Sequence, residues 1–253
     1  MLFRSLEATR NYLRSGLAPE KGLFRFVHLS TDEVHGSLEL SDPPFRETST
    51  FAPNSPYAAS KAAADHLCRA YFRTFEVPTV VLRPSNNYGP NQFPEKLIPL
   101  AILRAVAGEK IPVYGDGKQV RDWMYVEDTA RAVEAARRAG GVGEAYQVGA
   151  DEEKENVAVL GALCDLLDRM KPRAGGRSHR ELMETVTDRP GHDRRYATDA
   201  TKFKTGLSWQ PKVSFLEGLE KTVRWYLENP AWCESVRAKG YAGQRLGLGR
   251  SGS

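Results

Sequence analysis

The chain has 253 residues, 41% apolar and 27% charged, and a net charge of +4 from 36 basic and 32 acidic residues. That length supports a sizeable core in one large domain or two smaller ones, while the scattered basic residues make no stripe for nucleic acid. No apolar run approaches the roughly 18 residues that cross a membrane, and Cys68, Cys164 and Cys233 lie too far apart for a disulfide framework or zinc site; such thiols suit a reducing cytoplasm.

In chain order, residues 2–15 predict an amphipathic helix stopped near Gly16, without the continuous apolar stretch of a targeting segment. "FRFVHLS" (24–30) reads as a buried strand, and a helix follows over 56–75. "PTVVLRP" (78–84) is a β-branched strand, "FPEKLIPLAILRAVAGE" a helix ending near Gly108, and "IPVYGDG" a strand and turn. "VEDTARAVEAARRAGG" has helical period with Gly140 as its stop, and "EAYQVGA" is a short strand. The alternation predicts an α/β fold, with a parallel sheet covered by helices over residues 1–150. A composition shift near Asp151 predicts a smaller second unit over 151–241, with an Arg/Gly/Pro-rich stretch at 188–195 and a last helix at 215–228. Residues 242–253 are Gly/Ser/Arg-rich and expected to be disordered.

"NSPYAASKAAADH" opens the 56–75 helix. Ser55 is a good N-cap, Pro56 suits the first helical position, and the alanines propagate a helix. Residues four apart share a face, so Tyr57 and Lys61 point the same way. A nearby ammonium favours the phenolate, and the expected result is a Tyr57 pKa lowered from about 10 toward neutrality, as an acid–base residue needs. In open parallel sheets, ligands lie beyond the carboxyl ends of the strands. "STDEVHG" follows the 24–30 strand and "RPSNNYGPNQ" the 78–84 strand, which places Thr31, Asp32 and Glu33 at a crevice beside Asn86. Among the histidines, His28 reads as a core residue and His66 as structural; the pairs Trp123–Tyr125 and Trp225–Tyr226 read as core.

With "STDEVHG", "SPYAASKAAADH", "RPSNNYGPNQFPEKLIP", "PVYGDGKQVRDWMYVED" and "DRPGHDRRYATD" in this order, the chain resembles the extended short-chain dehydrogenase/reductase superfamily, and within it the dTDP-glucose 4,6-dehydratase family. The resemblance runs from about Leu2 to Tyr241. YxxxK alone marks the superfamily; Asp32-Glu33 after Thr31 looks like the dehydratase pair, where sugar-nucleotide epimerases and decarboxylases carry other residues.

The resemblance implies a partial Rossmann-like, doubly wound domain over 1–150, with 89–125 crossing partly into a nucleotide-sugar lobe completed by 151–241. It implies a homodimer, NAD as cofactor, and an internal redox cycle on a nucleotide-activated glucose. Tyr57 would take the carbon-4 hydroxyl proton, Thr31 would bond the same oxygen, and Lys61 would hold the nicotinamide ribose. Glu33 would remove the carbon-5 proton and Asp32 would protonate the hydroxyl leaving carbon 6. Asn87 would contact the cofactor and Asn86 the substrate diphosphate. Lys96, Leu97, Pro112, Val113, Tyr114, Arg121, Asn156, Asp188, Arg189, Pro190, Gly191 and His192 would line the nucleotide side.

Two departures stand out. His35 replaces the family's usual tyrosine, and no GxGxxG turn opens the chain between a strand and a helix; roughly the first hundred residues of the family pattern have no counterpart. The resemblance therefore also implies that the 24–30 strand lies at a sheet edge and that the chain alone binds NAD poorly. An epimerase or decarboxylase, or an inactive truncated fragment, is the alternative reading.

Overall fold

A computed structural model describes residues 2–17, 22 and 24–238; the tail expected to be disordered lies outside them. In chain order the elements are helix α1 (Leu2–Arg14), strand β1 (Phe26–Leu29), helix α2 (Pro56–Phe75), and strands β2 (Thr79–Pro84) and β3 (Asn86–Tyr88). Then come helix α3 (Leu97–Val106), strands β4 (Ile111–Tyr114) and β5 (Val120–Tyr125), helix α4 (Val126–Ala139), and strands β6 (Ala145–Val148) and β7 (Glu153–Glu155). Helix α5 (Asn156–Met170), strand β8 (Met183–Val186) and helices α6 (Thr201–Gly206), α7 (Phe215–Glu228) and α8 (Pro230–Ala238) follow among the described residues.

These elements form two units: one of Met1–Asn87, Gln119–Lys154 and Pro190–Val213, the other of Tyr88–Lys118, Glu155–Arg189 and Ser214–Ser253. Residues 190–213 thus lie with the first unit, although they fall inside the 151–241 stretch.

The first unit holds the expected parallel sheet, in the order β1-β2-β6, with β1 at an edge among the described residues. Successive strand residues face opposite sides, and β2 uses both. Val81 packs with Leu6, Cys68, Tyr71 and Val77 under α1 and α2. Val80 and Leu82 pack with Met124, Ala132, Ala136, Tyr146, Val148, Phe203 and Trp209 under α4 and α6. Both faces are therefore dry, which explains why β2 reads as a continuous apolar run. Helix α2 starts where expected because the Ser55 hydroxyl accepts from Ala58 N at 3.1 Å and Pro56 occupies the first turn.

In the second unit, α3, α5 and α7 pack together, burying Ile98, Ile102, Leu160, Leu163, Leu167, Leu219 and Val223. Strands β4 and β8 pair in parallel. The Tyr88 hydroxyl donates to Phe215 O at 3.0 Å, and the Tyr88 and Phe215 ring centres lie 5.5 Å apart. No helix among the described residues is long and apolar enough to cross a membrane.

Candidate active site

The site in the first unit begins where β1 stops. Thr31 is extended (φ −157°) and caps a 3₁₀ turn over Asp32–His35. Its hydroxyl accepts from Glu33 N at 3.4 Å and lies 3.3 Å from Asp32 Oδ1. Asp32 is only 2% exposed, and its Oδ2 is buried without a hydrogen-bond partner. Burial first, then the neighbouring Glu33 and Asp122 carboxylates, push its pKa up to about 8, against a smaller pull from Arg121.

The turn closes at Gly36, where φ is +87° and ψ −152°, a region essentially reserved for glycine. A Cβ there would sit 2.5 Å from the Ala52 carbonyl oxygen. Gly36→Ala should therefore cost about 1–3 kcal/mol. Denaturant unfolding checks this, and a loss below about 0.5 kcal/mol, the range of an ordinary surface change, would contradict it.

Helix α2 presents Tyr57, Lys61 and Asp65 at four-residue intervals, one stripe on one face. Lys61 Nζ donates to Leu29 O at 2.8 Å, fastening the helix to the end of β1. The expected lowering of the Tyr57 pKa is not observed. Burial, Glu33 and Asp32 all raise it, while the Lys61 ammonium lies 6.0 Å from the ring centre and is directed at the Leu29 carbonyl.

Asp65, the third member of the stripe, has no role in the sequence reading. Its carboxylate accepts from Arg83 Nε on β2 at 2.8 Å, and both side chains are buried. His28 Nε2 lies 3.6 Å from the other Asp65 oxygen; burial lowers the His28 pKa. His28 is thus part of a buried polar cluster that ties α2 to the sheet. The one sequence signal for Asp65 is its spacing from Lys61.

At the end of β2, Asn86 Oδ1 is buried with no hydrogen-bond partner, an orphan acceptor suited to a ligand. Asn87 is oriented by Ser85 O, to which its amide donates at 2.8 Å, and by the Thr129 hydroxyl. Tyr57, Lys61 and Asn87 offer a phenol, an ammonium and an amide, the donor set that a nicotinamide ribose would need. No Gly-rich strand-to-helix turn for its pyrophosphate occurs among the described residues.

Arg121 is 4% exposed and is not a surface ion pair. It donates to Val120 O at 2.7 Å and Asp193 O at 2.9 Å, and its guanidinium lies 4.2 Å from the Tyr196 ring centre. Asn54, just before α2, donates to Asp193 Oδ1 at 2.6 Å. Gly191 takes φ +64°, and its nearest neighbour at the Cβ position is Asn54 O, at 3.7 Å. The segment holding Pro190, Gly191 and His192 is thereby fixed beside Arg121 and the start of α2. The first unit accordingly gathers Thr31, Asp32, Glu33, Tyr57, Lys61, Asn86, Asn87, Arg121 and residues 190–192.

The remaining candidates belong to the second unit. Lys96 precedes α3 and pairs with Glu95 at 3.0 Å; Leu97 is the first residue of that helix. Pro112, Val113 and Tyr114 form β4, whose following turn meets both Asp188, 2.7 Å from a Cβ built at Gly115, and the start of α5 through a Val157 N to Gly117 O bond of 2.8 Å. Asn156 is the first residue of α5. Arg189 N donates to Asp188 Oδ1 at 2.8 Å.

His35, the departure from the family pattern, is buried between the Phe45 and Phe51 rings. Its Nδ1 bonds Thr50 O at 3.0 Å and its Nε2 meets Gln147 Nε2 at 2.7 Å. Burial holds its pKa near about 4, so it serves as a neutral link from the acidic turn to β6.

The Asp32 shift carries a pH signature. An acid whose folded pKa (about 8) exceeds its ordinary 3.8 contributes stability that is present below 3.8 and lost as pH rises toward 8. Asp32→Asn has no such dependence. The stability of Asp32→Asn relative to the parent should therefore climb through that window and level off above it, as read by denaturant unfolding at several pH values. A gap independent of pH would contradict it.

A parallel sheet with Thr-Asp-Glu beyond one strand and a tyrosine and lysine one turn apart on the next helix defines the short-chain dehydrogenase/reductase class. A family model described as GDP-mannose 4,6 dehydratase matches residues 2–222. The dTDP-glucose 4,6-dehydratase of Xanthomonas campestris pv. campestris (strain ATCC 33913) is 50% identical over 242 residues, covering 96% of this chain and 69% of that protein. The crystal structure of dTDP-glucose 4,6-dehydratase from Bacillus anthracis in complex with NAD is 42% identical, with a TM-score of 0.81 over 93% of this chain and 69% of that one. The dTDP-glucose 4,6-dehydratase DesIV of Streptomyces venezuelae, solved with NAD and TYD bound, is 41% identical with a TM-score of 0.79, covering 91% and 68%. The chain belongs to the dTDP-glucose 4,6-dehydratase family.

Proposed function

We propose that this chain carries the 4,6-dehydration of dTDP-glucose to its 4-keto-6-deoxy derivative. The observation that supports this most is Asp32, 2% exposed and directly beside Glu33, whose burial pushes its pKa up to about 8. Eliminating water across carbons 5 and 6 needs a base and an acid together, and two adjacent carboxyls serve both roles only when their surroundings separate them. Tyr57 takes the carbon-4 hydroxyl proton while Thr31 bonds the same oxygen. A bound NAD would supply the hydride acceptor for carbon 4 and the hydride donor for carbon 6. Tyr57, Lys61 and Asn87 would hold its nicotinamide ribose. Glu33 removes the carbon-5 proton, which the carbon-4 ketone has made acidic, and Asp32 protonates the departing carbon-6 hydroxyl. Arg121, whose planar fork suits a diphosphate, Asn86 and residues 190–192 bind on the nucleotide side. Lys96, Leu97, Pro112, Val113, Tyr114, Asn156, Asp188 and Arg189, which belong to the second unit, are the remaining nucleotide-side residues that the family resemblance implies.

The test supplies dTDP-glucose and NAD⁺ to the chain, and in parallel to the chain joined to the portion of the Xanthomonas relative that it does not cover. The product is identified by NMR. The 4-keto-6-deoxy sugar in either sample supports the reading. The carbon-4 epimer, or unchanged substrate in both samples, would contradict it.

A further inference from the structure

We propose that His35, outside the candidate catalytic set, is a positioning residue for the acid–base pair: from the last place of the 3₁₀ turn that carries Asp32 and Glu33, its two ring nitrogens fasten that turn to the 45–52 segment and to β6. The inference rests on the dehydratase reading above, in which Asp32 and Glu33 are the acid and the base.

Besides its Thr31 cap, the turn is tied down through Val34 and His35. Ala52 N donates to Val34 O at 3.1 Å, and His35 Nδ1 bonds Thr50 O at 3.0 Å. A carbonyl only accepts, so Nδ1 carries the hydrogen and Nε2 is left as an acceptor. Gln147 Nε2 on β6, 2.7 Å away, donates to it, and the same amide nitrogen donates to Arg46 O at 3.3 Å. Gln147 N donates to Glu47 Oε1 at 2.9 Å, and β6 is itself paired with β2. The ring is 4% exposed, with its centre 5.0 Å from that of Phe45 and 5.3 Å from that of Phe51. Asp32 and Glu33 stand three and two residues before His35 in one tight turn. A tilt of the turn therefore moves both carboxyls, and a displacement of about 1 Å can cost 10²-fold in rate.

The link holds in one proton arrangement. A proton added to Nε2 would point two N–H groups at each other across 2.7 Å. Turning the Gln147 amide over would bring its Oε1, now buried without a partner, to the new N–H, but would give up the bond to Arg46 O. The charged groups around the ring are Arg83 of β2 and Asp65 of α2, which pair with each other at 2.8 Å, and Glu47, held by Gln147 N; His66 of α2 packs on the Phe51 ring. Burial outweighs them and lowers the His35 pKa from 6.5 to about 4. A histidine kept neutral in this way contributes stability that is whole above 6.5 and declines as pH falls toward 4.

The test begins with ¹⁵N NMR of the histidine-labelled chain near neutral pH, with His35 assigned by its loss in His35→Phe. Nδ1 should bear the hydrogen and Nε2 should be bare; a ring carrying its hydrogen on Nε2 would overturn the proposal. His35→Phe keeps a ring between Phe45 and Phe51 and removes both nitrogens. The backbone amide signals of Glu33, Gly36 and Ala52 should then shift, while those of Val80 and Val81 in β2 stay. In whichever form of the chain yields product, kcat should fall about tenfold or more with KM little changed. That variant strands Thr50 O and Gln147 Nε2 and could unfold, so Gln147→Glu is decisive on its own. A carboxylate facing Nε2 makes that nitrogen a donor, and the His35 midpoint should rise from about 4 by about 1–3 pH units, with the three turn amides unmoved through it. An unmoved midpoint, or a folded His35→Phe with unshifted turn amides and undiminished kcat, would overturn the proposal. The NMR arms need no turnover, so failure here is distinguishable from failure of the dehydratase reading, which the product assay decides.

Discussion

Glu33→Gln should leave oxidation at carbon 4 intact and stop the reaction before water is lost. The amide keeps the shape and the Thr31-capped turn, since Thr31 receives the backbone N–H of residue 33 and not its side chain. What disappears is the base for carbon 5. A positioned acid or base contributes about 10²–10⁴-fold, and the elimination rate should fall by that factor. Rapid mixing with dTDP-glucose should show reduced nicotinamide forming and persisting. Tyr57→Phe should instead show none, because the first proton transfer is lost. Burial, followed by the charges of Glu33 and Asp32, raises the Tyr57 pKa, so the parent oxidation should accelerate with rising pH. Near-normal product formation by Glu33→Gln would remove Glu33 from the role of base.

The largest stability loss is expected at Asp65. Asp65→Ala leaves Arg83 buried without its carboxylate, and Arg83 Nη1 already lacks a partner. Breaking a buried pair from one side costs about 3–5 kcal/mol. The double change Asp65→Leu with Arg83→Met should recover much of that, because a well-packed apolar pair avoids both desolvation penalties. Denaturant unfolding of the three variants reads the pattern. A single-variant loss under about 1 kcal/mol, typical of an exposed pair, would mean that the cluster does not fasten α2.

Local signals carried part of this far. The helices expected near 56–75 and 215–228 begin at Pro56 and Phe215, where Ser55, legible as a cap, and Ser214 bond their first turns. The 24–30 strand is shorter in the structure, Phe26–Leu29, because the ladder to β2 begins only where Phe26 N donates to Pro78 O. Strand β5 was not legible. "VRDWMY" carries Arg121 and Asp122, which look solvated in a sequence window yet are buried by partners dozens of residues away, Asp193 for one and Ala150 and Glu152 for the other. Asp65 escaped notice for the same reason, since Arg83 lies across the helix–sheet interface. The Tyr57–Lys61 spacing placed both residues on one face, but spacing could not reveal that Leu29 O captures the ammonium.

The most direct measurement of the proposed chemistry follows carbon 5. Turnover of dTDP-glucose with NAD⁺ is run in D₂O, in whichever form of the chain yields product, and the product is read by NMR. Removal of the carbon-5 proton by Glu33 and its later replacement should exchange it with solvent, so the 4-keto-6-deoxy product should carry deuterium at carbon 5. Product that retains its original hydrogen there would contradict a Glu33–Asp32 elimination.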